Sequence, residues 1–145
     1  MKYLVILLSL YSNYIFSKDY TLKWYSFVTI LDTITFKDKS VYRIVRSDGS
    51  WEDNEGSYGS LKCIGPNKIS SNNEVELDVF CEAYDNKGDT FGLNLYRSSE
   101  VNAGTGVATY INTSGKYKRF LGQKCTYAIT YLSNFEKGFY KHICK

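Results

Sequence analysis

Val75-Glu76-Leu77-Asp78-Val79-Phe80-Cys81-Glu82-Ala83-Tyr84-Asp85-Asn86-Lys87-Gly88-Asp89-Thr90-Phe91-Gly92-Leu93-Asn94-Leu95-Tyr96-Arg97 decides the fold class. Successive side chains of a strand point to opposite faces, so a period of two marks a sheet with one buried side. Val75, Leu77, Val79, Cys81 and Ala83 share one face, and Phe91, Leu93 and Leu95 share another. Between them, Asp85-Asn86-Lys87-Gly88-Asp89 supplies Asx side chains that bond the local backbone and a glycine that accepts positive φ. The stretch reads as an antiparallel hairpin, and Arg97, in step with Phe91, Leu93 and Leu95, points into the same interior.

The same texture extends in both directions. Short β-branched or aromatic runs cover 19–31, 33–37, 41–47, 57–64, 104–112, 116–121 and 124–132, with a short extended tail near 139–144. Turn residues punctuate them at Ser47-Asp48-Gly49-Ser50, Ser71-Asn72-Asn73 and Thr113-Ser114-Gly115. The chain has one proline and no sustained helical period, so it reads as all-β. Eight or nine short antiparallel strands either close into a barrel or stack as a β-sandwich, because one open sheet exposes an apolar face and two edges. Gly56, Gly59, Gly65, Gly92, Gly104, Gly106 and Gly122 lie in or beside strands, where glycine marks bends and bulges. That favours a closed antiparallel barrel of about eight strands, with the sandwich as the alternative.

The N-terminus sets the compartment. Lys2 precedes the apolar run Tyr3–Leu10, followed by Tyr11, Ser12, Asn13 and Ser17, the pattern of a signal peptide over 1–17 and a single domain over 18–145. The run is about half the ~20 residues that span a bilayer, so no membrane anchor is expected. Four cysteines, Cys63, Cys81, Cys125 and Cys144, fall after it, an even count that suits two disulfides in a periplasmic or secreted chain. The strand face that holds Gly59, Leu61 and Cys63 meets the face that holds Cys81 when the chain folds about Ser71-Asn72-Asn73. This pairs Cys63 with Cys81 and leaves Cys125 with Cys144. The spacing lacks C-x₂-C and His142 is the single histidine, so no metal site is expected.

Gly104-Thr105-Gly106-Val107-Ala108-Thr109-Tyr110-Ile111-Asn112-Thr113-Ser114-Gly115-Lys116-Tyr117-Lys118-Arg119-Phe120-Leu121-Gly122 resembles a pattern of the allene oxide cyclase and dirigent-like barrels. There a strand leads to a Thr-Gly turn, a short Lys-aromatic strand, then glycine and another strand; here Ser114 separates Thr113 from Gly115. The resemblance covers residues 104–122. It implies an eight-stranded antiparallel barrel able to hold a small apolar molecule, and no position matches the catalytic residues of either family.

Candidate chemistry is sparse. Trp51-Glu52-Asp53-Asn54-Glu55-Gly56-Ser57-Tyr58-Gly59 gathers an indole, three carboxylates and a phenol. It reads as a pocket mouth, with Asp53 or Glu55 as a base raised by burial, or as a strand-joining turn. Arg97 either binds an anionic group or pairs with a structural acid. His142, the only histidine, lies near the C-terminus beside an expected disulfide, which argues against a His-dependent triad; there is no G-x-S-x-G, and Gly104-Thr105-Gly106 has neither the lysine nor the helix of a phosphate loop. Catalytic residues and cofactors are therefore not expected. A formal charge of +3 with scattered Lys and Arg argues against nucleic acid. The leading expectation is an exported barrel that binds a small apolar molecule in its lumen or at its mouth, with Trp51, Asp53, Tyr58 and Arg97 as contacts. The alternatives are a cyclase or isomerase acting on an unsaturated small molecule, and a protein-interaction or surface-associated module.

Overall fold

A computed structural model describes residues 19–99, 104–132 and 135–145; the expected signal peptide lies outside the described residues. Eight strands form one closed antiparallel barrel, each bonded to its neighbour in sequence and the last to the first. They are β1 (Tyr20–Thr35), β2 (Val41–Asp53), β3 (Tyr58–Ile69), β4 (Val75–Asp85), β5 (Thr90–Ser99), β6 (Gly104–Thr113), β7 (Lys124–Leu132) and β8 (Lys137–Cys144). The hairpin read from alternation forms in that register: Ala83 faces Phe91, Cys81 faces Leu93, Val79 faces Leu95 and Leu77 faces Arg97. All of these side chains are buried. Cys63 bonds Cys81 across β3 and β4, and Cys125 bonds Cys144 across β7 and β8. Both disulfides suit an oxidising compartment.

Three local expectations are corrected. The runs 19–31 and 33–37 are one strand, β1, whose pairing with β2 shifts between Ile30 and Asp32. A bulge absorbs the extra residue without ending the ladder. Ser47-Asp48-Gly49-Ser50 is not a turn but the middle of β2. Glycine is needed there because a Cβ on Gly49 would lie 2.0 Å from the Tyr25 carbonyl oxygen and 2.7 Å from Ser26 Cα, so the backbones of β1 and β2 could not approach. Finally, 116–121 is not a strand. Gly115, at φ +48°, turns the chain into a 3₁₀ helix, Gly115–Phe120, which carries Tyr117 and Phe120 inward. The tail near 139–144 is a full strand, β8, that closes the barrel against β1 and β7.

Outward positions carry charge along most strands, including Lys23, Arg46, Glu52, Lys62, Glu82, Lys124 and Lys141. Inward positions are mostly aromatic or aliphatic, with Ser26, Ser47, Asn67, Arg97 and His142 buried among them. Among the described residues, no helix is long and apolar enough to cross a membrane.

Candidate functional site

One mouth of the barrel is plugged. Two turns of the same sequence type frame it: Asp53-Asn54-Glu55-Gly56-Ser57 joins β2 to β3, and Asp85-Asn86-Lys87-Gly88-Asp89 joins β4 to β5. In each, Asp Oδ1 accepts from amides two and four residues on, at 2.9 and 2.8 Å for Asp53 and 2.8 and 2.9 Å for Asp85. Gly56 and Gly88 take the positive φ that the turn requires. The second oxygen of each carboxylate reaches across the mouth. Asp53 Oδ2 accepts from Lys116 Nζ at 3.1 Å and from the Tyr20 hydroxyl at 3.2 Å, and Asp85 Oδ2 accepts from the Tyr117 hydroxyl at 3.1 Å. Lys116 also donates to Ser57 Oγ at 2.6 Å, and Arg119 pairs with Glu55. Burial pushes the Asp85 carboxyl up, but the Lys87 and Asp89 amides, the Tyr117 hydroxyl and the Lys116 charge outweigh it and hold it below the usual range.

Beneath the plug the lumen is filled. Trp51 packs edge-on against Phe91 and Tyr117, and Tyr110 stacks on Phe120 with centroids 5.1 Å apart. Trp24 stacks on Tyr140 at 4.7 Å. Below them is a void of about 20 Å³, lined by Val28, Val45, Leu77, Val79, Leu95 and Tyr140 among others. That is room for about one water molecule. Phe135 covers it from outside, its ring 4.3 Å from that of Tyr131.

The four residues expected to form a site do not converge. Trp51 is buried under the plug, its indole N–H donating to the Ser60 carbonyl at 3.1 Å. Asp53 serves its turn and the plug. Tyr58 is 60% exposed on the outer wall. Arg97 is buried towards the opposite mouth, where its charge acts on the hydroxyls of Tyr127, Tyr131 and Tyr140. Burial pushes all three hydroxyls up, and Arg97 opposes the push.

That opposite mouth is open. β1 pairs with β8 only as far as Phe27; beyond it the outer side of β1 has no neighbouring strand, while β2 stays paired to β3 as far as Val41 and Ile69. Ile30, Leu31, Ile34 and Phe36 stand exposed there. Between the β1–β2 and β3–β4 turns runs a groove of about 310 Å³, lined by Phe36, Val41, Tyr42, Lys68, Ile69 and Val75 together with Ser and Glu side chains. None of these residues is among the contacts expected from sequence. The available signal was Ile30, Leu31, Ile34 and Phe36 at the end of a strand-like stretch longer than an ordinary strand.

Among the described residues, one group could hold a metal ion: the ligand atoms of Cys125, His142 and Cys144 lie within 4.8 Å of one another. Both sulfurs are in a disulfide here. Burial pushes the His142 imidazole down to about 4, so the ring is neutral near pH 7. Comparison with protein-family models, with curated proteins and with solved structures finds no match to this chain.

Proposed function

We propose that this is an exported barrel that binds a small, largely apolar molecule at its open mouth, with the packed lumen as scaffold. The observation that carries the reading is the position of the groove by Phe36, Val41, Ile69 and Val75, about 310 Å³ at the open mouth above a lumen that leaves only about 20 Å³ free; the clefts of about 360 and 480 Å³ by Phe139 and Phe27 run along the outer wall. Small-molecule sites are concave, mostly apolar and begin near 300 Å³. The isomerase alternative gains nothing from the geometry, since Asp53 commits its oxygens to turn amides and the plug, and Glu55 pairs with Arg119 and Lys116 near the surface. Titration with 1-anilinonaphthalene-8-sulfonate tests the reading. Saturable one-to-one binding should weaken at least tenfold in Phe36→Ser/Tyr42→Ser, at side chains exposed enough to change without disturbing the core. Binding unchanged by that double substitution would refute the site.

A second reading, a protein-docking module, is favoured by the exposed Phe27, Ile30, Leu31, Ile34 and Phe36. It predicts that Ile30→Ser/Ile34→Ser abolishes capture of a partner while dye binding in the groove persists.

A further inference from the structure

We propose that Cys125, Cys144 and His142 form a latent site for a soft d¹⁰ metal ion, closed while the disulfide is intact and opened by its reduction. His142 alternates inward with Tyr140 and Cys144 on β8, and Cys125 faces Cys144 from β7. All three are buried, and His142 is fully so. Its Nε2 lies 3.4 Å from Cys144 Sγ. Two ligands of a tetrahedral zinc ion, at about 2.3 Å for sulfur and 2.1 Å for nitrogen, stand about 3.6 Å apart. The imidazole is therefore already at ligand spacing from one sulfur.

A second, independent observation makes this more than a cluster. His142 Nδ1 has no hydrogen-bond partner among the described residues, and Trp24 and Tyr110 flank the ring instead. The ring is held by aromatic contacts, so Nε2, whose one polar contact is Cys144 Sγ, faces the sulfur pair and is committed to no oxygen or nitrogen partner among the described residues. The other disulfide, Cys63–Cys81, has no such group among the described residues. There is also a route in. A cleft of about 250 Å³ reaches Cys144, with Asp19, Glu55, Gln123 and Lys145 along its walls.

A dithiol reductant attacks the Cys125–Cys144 bond and is itself oxidised to a disulfide, leaving two protein thiols. The metal then displaces one proton from each thiol and takes the imidazole as third ligand, so two thiolates offset its double positive charge. Two sulfurs and one nitrogen suit zinc, and three protein ligands leave one coordination position open.

The experiment uses the full chain, reduced with a phosphine, freed of it under inert gas and titrated with Co²⁺ as the spectroscopic stand-in for Zn²⁺. One equivalent should produce thiolate-to-cobalt charge-transfer absorption that Zn²⁺ abolishes. Bound metal should protect Cys125 and Cys144, but not Cys63 and Cys81, from alkylation mapped by mass spectrometry. His142→Phe should weaken binding by at least the ~10–100-fold that losing a mere outer-shell partner costs. No charge-transfer band, protection of the wrong pair, or equal affinity in His142→Phe overturns the proposal. Should reduction unfold the barrel, Zn²⁺ added on refolding is expected to restore near-ultraviolet circular dichroism in the wild type and not in His142→Phe. A reduced chain that stays unfolded with zinc would equally overturn it.

Discussion

Asp53 and Glu55 sit two residues apart in one turn and predict different outcomes. The Asp53 side chain is fully buried and accepts four hydrogen bonds, two from turn amides and two from Tyr20 and Lys116. Asp53→Ala leaves two turn amides and the Tyr20 hydroxyl without their acceptor, at about 1–3 kcal/mol for each buried donor, while Lys116, 29% exposed, keeps Ser57 and Glu55. Glu55 meets Arg119 and Lys116 near the surface, where an ion pair contributes about 0–1 kcal/mol. Urea unfolding of the two alanine variants should separate them by roughly 2 kcal/mol or more, and equal midpoints would show that the plug is not anchored through Asp53. At this scale the sequence was legible wherever local chemistry dominates: the Asx turn at Asp53, the inward aim of Arg97 and both cysteine pairings. It misled where residues were grouped by proximity in sequence. Tyr58 precedes Gly59, which shares a face with Leu61 and Cys63, so alternation alone sends its ring outward and away from Trp51.

β1 is the element that departs most from its neighbours. Phe36 donates its N–H to Ser40 across the hairpin, so along the alternating ladder the Thr33 N–H points away from β2, to the unpaired edge. The Asp32 carboxylate accepts that N–H at 2.7 Å, and the shift in register lies immediately before it. A bulge and an edge carboxylate are the devices by which exposed strands avoid pairing with other chains. Asp32→Val removes both the charge and the cap from an edge flanked by Ile30 and Ile34. Its weight-average mass in sedimentation should therefore rise with concentration above that of the wild type; matching profiles would show that the edge needs no guard. The sequence carried the length of this strand but not its continuity, because a bulge looks like a break when only alternation is read. Likewise Lys116-Tyr117-Lys118-Arg119-Phe120 alternates well enough to pass for a strand. What winds it into a 3₁₀ helix is non-local: Asp53, Asp85 and the ring of Tyr110 are waiting at the mouth.

Across the whole molecule, tyrosine does much of what aliphatic residues do in other cores. Tyr20, Tyr110, Tyr117, Tyr127 and Tyr140 are buried in the barrel and Tyr131 packs against it. Burial pushes the hydroxyls of all six above the ordinary tyrosine range. A folded-state pKa above the unfolded value of about 10 means that the stabilisation is fully present below pH 10 and is lost as pH rises, because the unfolded chain releases protons that the barrel keeps. Each such group contributes up to about 1.4 kcal/mol per pH unit, so six acting together outrun the 5–15 kcal/mol of an ordinary domain within about one to two pH units. The barrel should therefore unfold in one steep step between about pH 10.5 and 12. Tyrosinate absorbance from the buried rings should rise together with the loss of near-ultraviolet circular dichroism, and the step should move to lower pH in Asp53→Ala, which starts from a less stable fold. If those rings ionised gradually while the dichroism held, the lumen would have to admit water and hydroxide, and the contrast between a filled interior and an open mouth would no longer stand.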